Sequence, residues 1–470
     1  MTVRVEPIRR PVPRDFLGDL RKELHYAARA LLRDNAVCDR LVNRLRNNER
    51  LPRTQMAEMQ NAMLLRTLRA AARNIGRYRR YAPAIAKLEP ASAADFLRDE
   101  IPIITKEDLL ADRDAFYPGG GKLRPWTIVG RTSGTTGSPL EVIRSPRSIL
   151  WANAFKKRHW TWSGFREGMP RAMLRGDLVV PPDCTRLPVW FYNRYNRQLI
   201  VSSRHLKPPF LPYIVDALRK FSPFLLEAYP STAYELALYL QQHGETLAIP
   251  YVYTGSEALY PHQRALIEQS FATTVMDHYG MAERVAYATE CEFGNLHVNP
   301  DYSYVEIVDE NGAPTSDYGS LVGTTFHNLR MPLLRYKLSD MAKWKAEECR
   351  CGRRYPMIHP VTGKYEDMIW GADGAPVSPS VITFAFKELK HVRRSQVAQV
   401  GPGRWQIRLV PEERFSDADR EGLLARLKHY VDANLDVSVV VVQDIPRTAA
   451  GKYKWVVNEW RDGARDKNGG

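Results

Sequence analysis

Two stretches near the start of the chain have the hydrophobic pattern of amphipathic helices. They span residues 15–47 and 55–80, and in the second stretch Leu64, Leu68 and Ile75 fall at helical spacing. From about residue 126 the pattern changes to short apolar or alternating runs, such as "WTIVGR", "QLIVSS" and "PFLLEAYP", with helical stretches between them. This alternation predicts an α/β fold.

The later part of the chain changes character twice. Strand-like runs become denser between residues 296 and 345, which predicts a β-rich subdomain. After "TGKYEDMI" a smaller unit follows, with helices predicted over 380–390 and 417–434 and strands between and after them. We therefore expect a basic helical N-terminal region (1–80), a large multi-subdomain body (81–365) and a small, mobile α+β C-terminal lid (366–470).

The composition is that of a soluble globular protein. The 470 residues are 44% hydrophobic and 26% charged, and no apolar run approaches the roughly 20 residues that cross a bilayer. The first residues, "MTVRVEPIRR", lack the apolar core of a secretory signal, and five cysteines do not suggest a disulfide framework. These features predict a cytoplasmic protein without a transmembrane segment.

The net charge of +15 is concentrated at one end of the chain. Residues 1–80 hold 19 Lys/Arg against 8 Asp/Glu, a net of +11, so the remaining residues contribute only +4. Such a region can face an acyl carrier protein, coenzyme A, a membrane surface or nucleic acid, or it can be a solvated arginine-rich helical face. No zinc-finger, homeodomain or RNP-type pattern is present, so specific nucleic-acid recognition is not expected.

The stretch "TSGTTGSP" (132–139) is rich in hydroxyls and glycine. A loop of this composition between two strands can present N–H and O–H donors to a phosphate, although a flexible surface loop has the same composition. It is not a Walker A loop, because no Gly-Lys-Ser/Thr follows at the required spacing. The candidate phosphate ligands are Thr132, Ser133, Gly134, Thr135, Thr136 and Gly137.

Five further motifs follow this loop in a fixed order: "YTGSEAL" (253–259), "DHYGMAE" (277–283), "RYKLSD" (335–340), "GKYEDMI" (363–369) and "PRTAAGK" (446–452). The series resembles the adenylate-forming superfamily of acyl-CoA synthetases and adenylation domains. The stretches "CRCGRRYP" and "CEFGNLHV" are similar, more narrowly, to the branch of phenylacetate–coenzyme A ligases and capsule-biosynthesis adenylating proteins. The resemblance runs from about residue 75 to 460.

The resemblance implies that the protein joins a carboxylic acid to ATP, with Mg²⁺ as cofactor, to form an acyl-adenylate and pyrophosphate. Glu283 would hold Mg²⁺, which prefers oxygen ligands, and Lys452 would meet the charge of the reacting carboxylate and α-phosphate. Tyr279 would lie on the adenine and Asp340 would accept hydrogen bonds from the ribose. The implied nucleotide-binding set also contains Gly255, Ser256, Glu257, Gly280, Met281 and Lys364.

Two positions depart from the family pattern. Lys364 stands where an arginine usually contacts the ribose, which keeps the charge but loses the planar fork of donors. Glu366 stands where an aspartate is the usual hinge residue, and the hinge lets the small domain rotate between two half-reactions. We expect Glu366 to be the pivot of this protein's lid.

Three cysteines and one histidine form a candidate metal site. Cys349 and Cys351 make a C-x-C pair, while Cys291 and His297 make C-x₅-H. A Cys₃His set suits a structural, tetrahedral Zn²⁺ with no open position for water. The alternative is three reduced, unrelated cysteines beside a structural histidine. Zinc-bearing members of the resembled branch have similar pairs.

Neither the acid nor the acceptor follows from the sequence. Tyr229, Ser231, Tyr253 and His278 are candidate residues of the acid pocket, and the aromatic-rich stretch 150–195 mildly favours an aryl acid. The acceptor can be coenzyme A, an amine or an acyl carrier protein, and a homodimer is left open. A kinase or ATPase is disfavoured because the sequence contains neither a Walker A loop nor a kinase-type glycine loop. A non-catalytic homologue is disfavoured because Glu283 and Lys452 are retained.

Overall fold

The computed structural model describes residues 16–119, 127–131, 140–181, 183–361, 369–374, 376–377, 379–386, 388–389, 391–445 and 455–460. The helices in these ranges are α1 (Phe16–Arg33), α2 (Ala36–Asn48), α3 (Arg53–Asn74), α4 (Ala82–Ala86), α5 (Ala93–Glu100), α6 (Lys106–Ala111), α7 (Arg113–Phe116), α8 (Pro146–Thr161), α9 (Leu211–Phe221), α10 (Pro230–Gln242), α11 (Pro261–Phe271), α12 (Pro379–Phe386) and α13 (Asp417–Tyr430). The strands are β1 (Ile128–Arg131), β2 (Glu141–Arg144), β3 (Arg171–Leu174), β4 (Trp190–Asn193), β5 (Gln198–Val201), β6 (Leu225–Ala228), β7 (Tyr251–Tyr253), β8 (Thr274–Met276), β9 (His278–Gly280), β10 (Tyr287–Glu290), β11 (Leu296–Val298), β12 (Ser303–Val308), β13 (Gly319–Thr325), β14 (Tyr336–Ala342), β15 (Trp344–Lys345), β16 (Met357–Ile358), β17 (Ile369–Trp370), β18 (Pro376–Val377), β19 (Val392–Gly401), β20 (Arg404–Pro411), β21 (Asp436–Val441) and β22 (Val456–Asn458). None of the helices described here is both long and apolar enough to cross a membrane.

The N-terminal helices differ slightly from the sequence prediction. The stretch 15–47 is divided into α1 and α2, because the Asn35 side chain accepts hydrogen bonds from the backbone N–H of Val37 and Cys38 and so starts a new helix. Helix α3 packs into the main core of the large body through Leu64 and Leu68. The N-terminal helices are therefore built onto the body.

A mostly parallel sheet forms one half of the body. Its strand order is β4-β5-β3-β6-β7-β8, in which only the edge strand β4 runs antiparallel to its neighbour. Helices α9, α10 and α11 contribute to the apolar core that covers it. The carboxyl ends of β3, β6, β7 and β8 lie at one edge of the sheet, which is where ligands bind in open α/β sheets.

Antiparallel sheets form the β-rich part predicted for residues 296–345. One has the order β15-β16-β11-β10-β9 and another has the order β12-β13-β14. Strand β9 pairs with β10 so that Tyr279 lies opposite Ala288. The edge of the first sheet thus carries the motif "DHYGMAE" towards the parallel sheet.

The C-terminal unit is a four-stranded sheet, β21-β20-β19-β22, which shares one apolar core with α12 and α13. Its core contains Phe386, Trp405 and Leu427, and it includes one body residue, Tyr229. Strand β22 was not predicted from the sequence. The mixed α/β body followed by a small α+β unit agrees with the predicted fold class.

Polar contacts also join this unit to the body. The Arg204 guanidinium donates to the backbone carbonyl of Tyr430, and Lys207 forms an ion pair with Asp373. Arg204 also donates to the Gly176 carbonyl at 3.0 Å, so one buried side chain connects three segments.

Candidate active site

Tyr279 and Asp340 come from separate motifs and form a hydrogen bond. The Tyr279 Oη donates to Asp340 Oδ2 at 2.6 Å, the length of a charge-assisted bond to a carboxylate. Burial and the adjacent Asp340 charge raise the pKa of Tyr279 well above its usual value. The phenol therefore stays protonated and keeps donating its hydrogen bond to Asp340. This bond ties Tyr279 on β9 to β14. Gly280 and Met281, which follow it, are half-buried.

Glu283 lies close to this pair. Its Oε1 accepts a hydrogen bond from Tyr336 Oη at 3.3 Å, and Tyr336 lies on the same strand as Asp340. The charges of Asp340 and Glu283 both contribute to the raised pKa of Tyr279. Glu283 is only half-buried, so its carboxylate remains accessible to a ligand. Two carboxylates and two phenols from two motifs are therefore brought together.

Gly255 and Ser256 follow the carboxyl end of β7. A Cβ on Gly255 would lie 2.3 Å from the Cε1 of His278, so only glycine allows the imidazole to pack flat against this backbone. Ser256 has a positive φ of 73° and accepts a hydrogen bond from Arg175 Nη2 at 2.9 Å. Burial, followed by the charge of Arg175, lowers the pKa of His278 to about 4, so its imidazole is neutral at pH 7.

The other candidate pocket residues are mostly buried. Tyr253 is 3% exposed and its Oη donates to the His159 carbonyl at 3.2 Å. The Ser231 N–H donates to Glu257 Oε2 at 3.1 Å, which ties Glu257 to the first turn of α10. Tyr229 is 7% exposed and packs with the C-terminal unit. Of the four predicted residues, His278 is the one that is only half-buried.

A buried ion cluster that the sequence did not predict lies beside His278. Glu227 lies on β6, and its two oxygens lie 3.3 and 3.4 Å from Lys156 Nζ, with Arg175 Nη1 at 3.8 Å from the carboxylate. Burial opposes the ionisation of Glu227, but the charges of Lys156 and Arg175 outweigh it and hold the pKa of Glu227 below its usual value. The Lys156 side chain is 34% exposed, whereas the Glu227 side chain is only 5% exposed. The cluster therefore presents mainly the Lys156 ammonium as a donor, with a small part of the Glu227 carboxylate beside it as an acceptor.

The four predicted metal ligands are brought together. Cys291, His297, Cys349 and Cys351 place one ligand atom each within 4.8 Å of one another. The two Sγ atoms of Cys291 and Cys349 are 3.6 Å apart, and Cys351 Sγ is 3.5 Å from His297 Nε2. The His297 Nδ1 is 3.2 Å from the Tyr355 carbonyl, a contact that orients the ring and directs Nε2 towards the sulfurs. The donor set and its spacing fit a tetrahedral Zn²⁺.

Several predicted site residues lie outside the described ranges. These are Thr132, Ser133, Gly134, Thr135, Thr136, Gly137, Lys364, Glu366 and Lys452. Their assignments stay predictions from the motifs.

The residues missed by sequence reasoning are Lys156, Arg175, Glu227 and Tyr336. Tyr336 lies inside the motif "RYKLSD", so its place in the site could have been found there. The other three come from α8, from the segment after β3 and from β6, and no local pattern connects them.

The chain is similar to several known proteins. Residues 369–459 match the family described as the CapK C-terminal domain. Protein CapK of Staphylococcus aureus is 25% identical over 372 residues, which cover 77% of this chain and 80% of that protein. A phenylacetate–coenzyme A ligase of Thermus thermophilus is 26% identical over 453 residues, which cover 87% of this chain and 98% of that enzyme.

Among solved structures, 2-hydroxyisobutyryl-CoA ligase in complex with 2-HIB-AMP and CoA matches with a TM-score of 0.56 at 20% identity, covering 89% of this chain and 93% of that one. The fold is therefore that of the adenylate-forming enzymes. In sequence the chain is similar to CapK and to the phenylacetate–coenzyme A ligases, which confirms the resemblance drawn from the motifs.

Proposed function

We propose that the protein activates a carboxylic acid with ATP, forming an acyl-adenylate and pyrophosphate, and then transfers the acyl group to coenzyme A. The observation that carries this proposal is the hydrogen bond between Tyr279 and Asp340, with Glu283 beside it. The three residues come from two motifs with implied nucleotide roles, and they meet near the carboxyl ends of the parallel strands. The relatedness to phenylacetate–coenzyme A ligases supports the same reaction.

The chemistry assigns a task to each group. A carboxylate is a weak nucleophile and is repelled by triphosphate, so the site must neutralise charge and align the reactants. Asp340 accepts hydrogen bonds from the ribose, Tyr279 packs on the adenine and Glu283 would hold Mg²⁺. The loop 132–137 cradles the phosphates, and Lys452 neutralises the charge that develops between the carboxylate and the α-phosphate. When bound, Mg²⁺ screens the phosphate charge.

The ion cluster of Lys156, Arg175 and Glu227 restricts the class of carboxylic acid that we propose as substrate. An apolar acid placed against Lys156 and Glu227 would remove their remaining water without replacing its hydrogen bonds, at a cost of several kcal/mol. A hydroxyl group can donate to Glu227 and accept from Lys156 at once. We therefore propose an acid that carries a hydroxyl, on an aryl or an aliphatic skeleton, in addition to its reacting carboxylate.

The Cys₃His cluster is proposed to hold a structural Zn²⁺. All four ligands would come from the protein, so no coordination position is left for water or substrate. Its task would be to hold the residue after β10 and the middle of β11 to the segment before β16.

Acid-dependent exchange of labelled pyrophosphate into ATP tests the proposal. Phenylacetate, hydroxylated aryl acids, aliphatic hydroxy acids and dicarboxylic acids form the panel, and thioester formation is measured with coenzyme A, amines and carrier protein as acceptors. Lys452→Ala is expected to lower exchange by about 10²–10³-fold while ATP binding persists. Absence of exchange with every acid refutes adenylation, whereas exchange without thioester formation refutes only coenzyme A as the acceptor.

Whether the ion cluster selects the acid is tested by Lys156→Met. This variant is expected to lose its preference for hydroxylated acids by about tenfold, because one of the two hydrogen bonds is gone. Lys343→Met, at a half-exposed ion pair with Asp317 elsewhere on the body, is the matched control. An unchanged order of acids in Lys156→Met would contradict the assignment of the cluster and leave adenylation itself standing.

A further inference from the structure

Helix α1 exposes a stripe of leucines. Leu20, Leu24 and Leu31 recur at helical spacing on one face and are 44%, 62% and 63% exposed, and Leu32 beside them is 57% exposed. Single exposed leucines are ordinary, but a row of them along one helix face marks an interaction surface.

The opposite side of α1 is attached to the body, so the orientation of the stripe is fixed. Tyr26 stacks on Phe191 with ring centroids 5.5 Å apart, and Ala30 is 3% exposed. Arg29 forms an ion pair with Asp177 at 3.2 Å. The leucines therefore point away from the body.

A basic groove runs beside the stripe. It is lined by Arg21, Lys22, His25, Tyr26 and Arg29 of α1 and by Asp177 and Leu178 of the body. Asp177 is the carboxylate of this lining, and it is paired with Arg29. Arg21 and Lys22 form no ion pair with any residue that the structure describes. The groove therefore carries an excess of positive charge.

We propose that α1 docks on an anionic lipid surface, with its leucine stripe in the boundary of the acyl chains and the basic groove against the headgroups. An apolar face flanked by cations is the arrangement that lies flat in a membrane interface. Charge complementarity favours this occupant, because α1 holds 4 Lys/Arg against 2 Asp/Glu. A second copy of the chain would instead bring two such basic regions together.

The test is flotation of the full chain with phosphatidylcholine vesicles, with and without phosphatidylglycerol. Wild type is expected to float only with the anionic vesicles and to dissociate at high salt. Leu24→Ser combined with Leu31→Ser should weaken binding about tenfold or more, because apolar burial is lost. Arg21→Gln combined with Lys22→Gln should weaken it about fivefold for each cation removed and reduce its salt dependence.

Matched controls use exposed residues elsewhere. Val441→Ser, 59% exposed on β21, and Lys220→Gln on α9 should bind vesicles as wild type does. Failure of wild type to float with anionic vesicles at low salt overturns the proposal. So does a dimer that dissociates in the leucine variant, or vesicle binding that occurs only after residues 2–15 are deleted, which would indicate that this segment covers the stripe.

Discussion

Replacing Cys349 and Cys351 together with serine is expected to empty the Cys₃His cluster and to loosen the sheet that carries Tyr279. With Zn–S bonds of about 2.3 Å and a Zn–N bond of about 2.0 Å, neighbouring ligands of a tetrahedral zinc lie about 3.5–3.8 Å apart. The observed separations are 3.6 Å between two sulfurs and 3.5 Å between sulfur and nitrogen. These two separations match a tetrahedral zinc site, and all four ligand atoms lie within 4.8 Å of one another.

The stabilisation of the native state by bound zinc follows from mass action. A ligand present at a thousand times its Kd, and bound only by the native state, contributes about 4 kcal/mol. For a cooperative unit of 150–250 residues this corresponds to roughly 8–16 °C in Tm. We expect the double variant to lose this much stability, and we expect a strong chelator to lower the Tm of wild type by a similar amount.

The assay combines elemental analysis after dialysis with thermal melts, with and without chelator. Wild type should carry about one zinc per chain. Cys184→Ser is the matched control, because Cys184 is a half-buried free thiol outside the cluster. Zinc well below one per chain in wild type purified without chelators would refute the site, as would equal zinc content in the double variant.

Three further outcomes are expected. Tyr279→Phe should raise the KM for ATP by about 10–100-fold, since a hydrogen bond to a charged Asp340 contributes about 1.5–3 kcal/mol. Gly255→Ala should lower pyrophosphate exchange by about 10²-fold. The new Cβ would lie 2.3 Å from the Cε1 of His278, so the imidazole has to move. Burial and the charge of Glu290 raise the pKa of Asp277 to about 7, so the native state holds a proton that the unfolded chain releases. The free energy of unfolding should therefore fall as pH rises from about 4 to 7. In urea unfolding, Asp277→Asn should remove up to about 4 kcal/mol of this decline.

Each of these has a matched control. Tyr318→Phe changes an exposed phenol and should leave the KM for ATP unchanged. Gly76→Ala adds a Cβ whose nearest neighbour is 3.6 Å away, so exchange should persist. Asp317→Asn alters an exposed carboxylate and should retain the wild-type decline of stability between pH 4 and 7. A wild-type KM in Tyr279→Phe, full exchange in Gly255→Ala or an unaltered pH profile in Asp277→Asn would contradict the corresponding argument.

The sequence predicted the parts of the site that consist of locally distinctive residues. Tyr279 and Asp340 lie in motifs of unusual composition, and the four residues of the Cys₃His cluster belong to rare residue types, so both groups could be picked out as candidates from the sequence. Lys156 and Glu227 could not, because each is an ordinary residue of a helix or strand and only the packing of α8 on the sheet brings them together. The burial of Tyr229 depends on where the C-terminal unit docks, which no local pattern encodes.

Tyr229 belongs to the body in the chain, yet it fills part of the core of the C-terminal unit. A fragment containing only residues 369–460 would therefore lack a buried aromatic ring, whose burial contributes about 1.5–3 kcal/mol, and would expose the apolar surface against which that ring packs. Protein engineers who exchange this unit between relatives should accordingly treat position 229 as belonging to the transplanted piece. A chimera that exchanges only the C-terminal unit would keep the residue of the original body at position 229. That side chain would then have to pack into the apolar core of a unit from another protein.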